Sequence, residues 1–147
     1  MRKHHLLGAI LLCGGLFSCS SEVIQQANYE IIPLPQEIKI STGNFVLNDR
    51  TSIVYPKGND EMQQNANLLA TYIRQMSGKK LKVIDEQITS NVITLTTGLN
   101  TDNAEAYQLK VTPDNIIIRG ASEAGTFYGI QTCLLYTSPS PRDTERS

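Results

Sequence analysis

The placement of histidine, cysteine and carboxylate limits what chemistry this 147-residue chain can carry. Both histidines, His4 and His5, stand at the extreme N-terminus. Once a leader is removed the chain has none, which excludes Ser-His and Cys-His nucleophile schemes and the commonest metal ligand. The three cysteines, Cys13, Cys19 and Cys133, lack the paired spacing of a disulfide framework or a zinc site. Asp85-Glu86 is an adjacent carboxylate pair, and Asp102 follows in Thr101-Asp102-Asn103. An adjacent pair invites a general-acid reading, but neighbours on a strand point to opposite faces and a loop pair is solvated. No second group converges on either, so no catalytic residue is assigned, and no metal or cofactor is expected.

Composition narrows the class further. Apolar residues make up 40% and charged residues 18%, which places the chain among globular proteins, long enough for one domain. Formal net charge is −1; without Arg2 and Lys3 there remain 11 basic against 14 acidic residues, a net −3. No basic field exists to attract nucleic acid. Trp is absent, and three Phe with six Tyr offer little for a sugar-stacking platform.

Residues 1–18 read as a secretory leader. Arg2 and Lys3 form its charged start, and Leu6 to Phe17 is an apolar run too short to span a bilayer as a conventional helix. Leu16-Phe17-Ser18-Cys19 resembles the bacterial lipoprotein box, with Cys19 as the lipidated residue. The expectation is an exported protein, lipid-anchored to the bacterial envelope on its periplasmic or cell-surface side. Several acyl chains on one residue anchor stably, at roughly 0.8 kcal/mol per buried methylene. Residues 19–29 then form a polar tether.

The globular part, residues 30–132, opens with Pro33 and Pro35, which favour an extended entry. Ile38 and Ile40, Phe45 to Leu47, and Ser52 to Tyr55 read as three short strands separated by turns at Gly43-Asn44 and Asn48-Asp49-Arg50, a small β meander. Asp60 to Gly78 is the clearest helix. Asp60 with Gln63 suggests a capping box, Met62, Ala66, Leu69, Ile73 and Met76 make one apolar stripe, and Gly78 is the stop. Leu81 to Ile84 and Val92 to Thr97 read as two more strands.

The most organised stretch is Glu105 to Thr132. Tyr107, Leu109 and Val111 alternate with polar residues, as on a half-buried strand. Thr112-Pro113-Asp114-Asn115 has turn chemistry. Ile116-Ile117-Ile118 suits a strand covered on both faces. Ser122 is a plausible N-cap for a following helix, and Gly125 and Gly129, four apart, would let that helix sit close to the sheet. From Cys133 the pattern changes: Pro139 and Pro141 forbid helix continuation, and residues 133–147 read as a disordered or non-native tail.

Taken together, Ile31 to Glu37, the Gly43-Asn44-Phe45 strand start, Glu105-Ala106-Tyr107, and Gly125-Thr126-Phe127-Tyr128-Gly129-Ile130-Gln131-Thr132 resemble the N-terminal domain of family-20 glycoside hydrolases, β-N-acetylhexosaminidases. With the lipoprotein leader, the resemblance is to Bacteroidetes-type members, and it covers roughly residues 30–132. It implies an α+β fold, a mostly antiparallel sheet with two helices packed on one face. In the family this domain precedes a (β/α)₈ barrel, where Glu of an adjacent Asp-Glu pair protonates the glycosidic oxygen and Asp orients the substrate's acetamide, a substrate-assisted route. A barrel of about 250 residues has no room in this chain, so no catalytic residue carries over. The family pattern breaks at Cys133, where the sequence looks like translated sequencing-adapter read-through.

The resemblance implies a fragment of an exported hexosaminidase that removes terminal N-acetylhexosamine from glycans. This piece would be its supporting domain, inactive alone, with the missing barrel as its partner. Two alternatives stay open: the N-terminal domain of a family-84 hexosaminidase, or a stand-alone surface lipoprotein that binds a glycan or another partner.

Overall fold

The computed structural model describes residues 36, 37, 39 and 43–137. Seven elements occur in the order β1 (Ser52–Val54), α1 (Asp60–Ser77), β2 (Lys82–Ile84), β3 (Val92–Thr96), β4 (Tyr107–Val111), β5 (Asn115–Gly120) and α2 (Glu123–Thr137). The leader, Cys19, the tether, the Pro33-Pro35 entry, the Ile38 and Ile40 positions and residues 138–147 of the tail lie outside the described residues.

The five strands form one sheet in the order β2-β1-β3-β5-β4. β1 runs parallel to both β2 and β3, and β3 runs parallel to β5. Among the described residues only β4 with β5 is antiparallel, with Leu109 opposite Ile118. The sheet is therefore mixed and mostly parallel, which corrects the expected antiparallel sheet. The cause is α1. A crossover built on the eighteen-residue α1 returns the chain to the start of the sheet, so β2 can lie beside β1 only in parallel.

The expected meander fails for the same reason. Both edges of β1 are occupied by β2 and β3, leaving no ladder position for Phe45 to Leu47. Their alternation still shows in burial: Phe45 and Leu47 pack against the core while Val46 is 70% exposed. Gly43 takes φ +98° beside Pro113, a left-handed turn that glycine adopts without cost.

α1 begins one residue earlier in its capping than Asp60 suggested. Asn59 is the N-cap, its side chain accepting from the Met62 amide at 2.9 Å, and Asp60 lies in the first turn where its charge suits the dipole. Gly78 closes the helix at φ 72°, its amide donating to the Arg74 carbonyl. Met62, Ala66, Leu69 and Ile73 are buried as the stripe requires, whereas Met76 is 42% exposed.

Both helices cover one face of the sheet and touch each other, α1 over β1, β2 and β3 and α2 over β3, β4 and β5. Between sheet and helices lies one core of Ile53, Met62, Leu69, Ile93, Leu95, Ile116, Ile118 and Ile130, with Cys133 and Leu134 at its end. Each large side chain buried there contributes about 1.5–3 kcal/mol relative to exposure. Ile117, expected to be covered on both sides with its neighbours, is only half-buried, since it faces away from the helices.

Candidate functional site

The order of the helix pair is set at its N-terminal end. Asn59 Nδ2 donates to Glu123 Oε1 at 2.9 Å, and Asn65 Nδ2 donates to the Glu123 carbonyl at 3.1 Å. One asparagine thus caps α1 with its oxygen and grips α2 with its nitrogen. The hydrogen bond from Asn59, then the carboxylate's own backbone amide, hold Glu123 below the usual carboxylate range. This clamp had no counterpart in the sequence reading, because 64 residues separate its partners.

α2 is fixed on β4 and β5 by close approach. A Cβ on Gly125 would run into the Ala106 carbonyl oxygen, and one on Gly129 would come 2.5 Å from Ile118 Cγ2. Both glycines serve the role their spacing predicted. Ser122 caps the helix as expected, its hydroxyl accepting from the Gly125 amide at 3.2 Å while donating to the Ala104 carbonyl at 2.7 Å. Tyr107 and Thr132 share a hydroxyl–hydroxyl hydrogen bond of 2.6 Å from strand to helix. The buried Thr126 hydroxyl lies within hydrogen-bonding distance of the Thr96 and Ser122 carbonyls.

Asp85, Glu86 and Asp102 are exposed on loops, and no described residue joins them in a converging group. Among the described residues no set of three or more His, Cys, Asp or Glu is placed to hold a metal ion. Cys133 is buried in the core, and burial pushes its thiol up to about 11, so it is an inert packing group. α2 continues through this residue to Thr137, and Cys133 and Leu134 pack inside.

Two surfaces stand out among the described residues. The first is the outer side of the helix pair. Glu123 is the only charged residue of α2, and Tyr128 and Leu135, seven apart, are 42% and 56% exposed. Tyr72 and Met76 on α1 are also exposed. The second is an open groove of about 400 Å³ between α1 and β2, where Asn67, Ala70, Thr71 and Arg74 face Lys80, Leu81 and Val83.

The sequence model of glycosyl hydrolase family 20, domain 2, matches residues 28–143. The chain belongs to this family. A β-hexosaminidase of Porphyromonas gingivalis is 32% identical over 143 residues, an alignment that covers 90% of this chain and 18% of that protein. The family-20 β-N-acetylhexosaminidase of Streptomyces coelicolor A3(2) superposes with a TM-score of 0.63 at 23% identity, over 68% of this chain and 20% of that one. The family-20 exo-β-N-acetylglucosaminidase of Vibrio harveyi gives 0.57 at 20% identity, over 69% and 15%. These structures share the fold, and this chain spans about a fifth or less of each relative's length. The family-20 domain described here is thus an α+β layer with five strands and two helices among the described residues.

Proposed function

We propose that this chain is the supporting domain of an exported, lipid-anchored β-N-acetylhexosaminidase that removes terminal N-acetylhexosamine from glycans. The match to family 20, domain 2, over residues 28–143 carries the reading. The exposed helix face is consistent with a supporting role. Glu123 is the single charged residue of α2, which lacks the polar outer face of a solvent-facing helix. Tyr128 and Leu135 are suited to being covered by further chain, which in this reading is the catalytic barrel. Anchoring rests on the Cys19 motif alone.

The test is hydrolysis of a chromogenic N-acetylglucosaminide. The 147-residue chain is expected to show no turnover and to self-associate through the uncovered helix face; the same domain continuous with its barrel is expected to turn over and remain dispersed. Activity of the short chain that survives stringent purification contradicts the supporting role.

A further inference from the structure

The groove between α1 and β2 joins an apolar floor to basic walls. Its floor is apolar, with Leu81 and Val83 half-buried at the sheet edge. Its walls carry two cations, Arg74 and Lys80, and no acidic residue lines it. Neither cation has an ion-pair partner among the described residues, although neighbouring Lys79 approaches Asp49 at 3.7 Å. Asn67 adds an exposed amide to the wall. The Thr71 hydroxyl donates to the Asn67 carbonyl at 2.8 Å, which leaves its oxygen lone pairs to accept a further hydrogen bond.

An anion is the complement to these walls, and the strand edge indicates its form. β2 is an edge strand among the described residues, yet it has only three residues and carries the exposed Lys82. Short, lysine-bearing edges disfavour the addition of an extended peptide. A compact anion is favoured instead, and a guanidinium binds carboxylate in a two-pronged way that an ammonium reinforces as a point charge. Apolar Leu81 and Val83 then meet the C–H face of a sugar ring, with Asn67 and Thr71 available to its hydroxyls.

We propose that this groove is an accessory site for an acidic sugar, its carboxylate held by Arg74 and Lys80. That the ligand is a sugar rests on the proposed hexosaminidase reading; that it is anionic rests on the groove alone. With no aromatic platform the affinity comes mostly from charge, so it weakens as salt shortens the screening length to about 8 Å at physiological strength.

The test is calorimetric titration of the full chain in detergent with a hyaluronan tetrasaccharide, in which glucuronate alternates with N-acetylglucosamine. Chitotetraose is the neutral control, and a glutamate tetrapeptide is the non-sugar anion. Hyaluronan is expected to bind about tenfold more tightly than either control, and an Arg74→Gln, Lys80→Gln double variant to lose about tenfold. Both substitutions are on exposed side chains and leave the core intact. Equal binding of chitotetraose, equal binding of the peptide, no binding of hyaluronan, or full retention in the double variant overturns the site. Loss of this binding alongside hydrolysis by the barrel-bearing protein rejects the groove and leaves the proposed function standing; binding without hydrolysis does the reverse.

Discussion

The two ends of the sheet are built by different rules. From β4 onward, neighbours in sequence are neighbours in space: β4 and β5 form a hairpin closed by Thr112 to Asn115, and α2 folds back on both. From β1 to β3 every pairing is parallel and made across a crossover, with β2 and β3 on opposite sides of β1. The lesson is that local chemistry specifies the first region, whereas the second depends on which strand edges are left open once α1 has crossed over.

Yet the two regions share one core, so they are expected to unfold together. The largest effect should come from Gly125→Leu. The Ala106 carbonyl is backbone and cannot yield, so α2 must leave the strand; urea unfolding is expected to show a loss of about 3 kcal/mol or more. A matched change at exposed Ala124, Ala124→Leu, should be nearly neutral. On the other side, Leu69→Ala removes a fully buried side chain from α1 and should cost about 2–5 kcal/mol. Both are expected to shift a single transition, observed alike by fluorescence and circular dichroism. Two separate transitions would show that the regions are independent.

A smaller effect probes the parallel region alone. Asn91 enters β3 at φ 53°, and its side-chain oxygen accepts from the Thr51 hydroxyl at 2.6 Å and from Asn48 Nδ2 at 3.3 Å, while its own amide returns to Asn48 Oδ1. Asn91→Ala loses these bonds and keeps the left-handed backbone, for about 1–2 kcal/mol. Asn91→Gly loses the bonds but relieves the backbone, and denaturant melts should place it between the two. A glycine variant less stable than the alanine variant would show that the backbone angle is not the issue.

The smallest effect joins the regions. Glu123 is held below its ordinary value near 4.5 by Asn59, so its contribution is full above that pH and fades as pH falls through the lowered folded value. The group is near the surface, and the step should be well under about 1 kcal/mol. Glu123→Gln is expected to remove that step from the acid side of the stability profile, below the ordinary value of 4.5. A step of unchanged size in the variant would assign it to another carboxylate.

The contrast also explains what could be read without coordinates. The Pro113 turn, the Tyr107-Leu109 alternation, the Ser122 cap and the two glycines are local signals, and each matches its observed role, whereas Val111 at the end of that alternation is 43% exposed. The α1 stripe was equally legible except at Met76, which is 42% exposed. The parallel order was not legible, because Ser52–Val54 presents only a short buried run that says nothing about its neighbours. The polar links were hidden by distance: Asn59 with Glu123 and Asn48 with Asn91 have no periodicity to betray them. For the site, the sequence resembled the family that the match shows, whereas the Arg74–Lys80 groove exists only because α1 ends beside β2.

The supporting role is tested most directly by a long genomic read through the codons after Thr132. The expected result is an open frame that continues into a (β/α)₈ barrel bearing an adjacent Asp-Glu pair. A stop codon directly after Ser147 in the genomic sequence would contradict it.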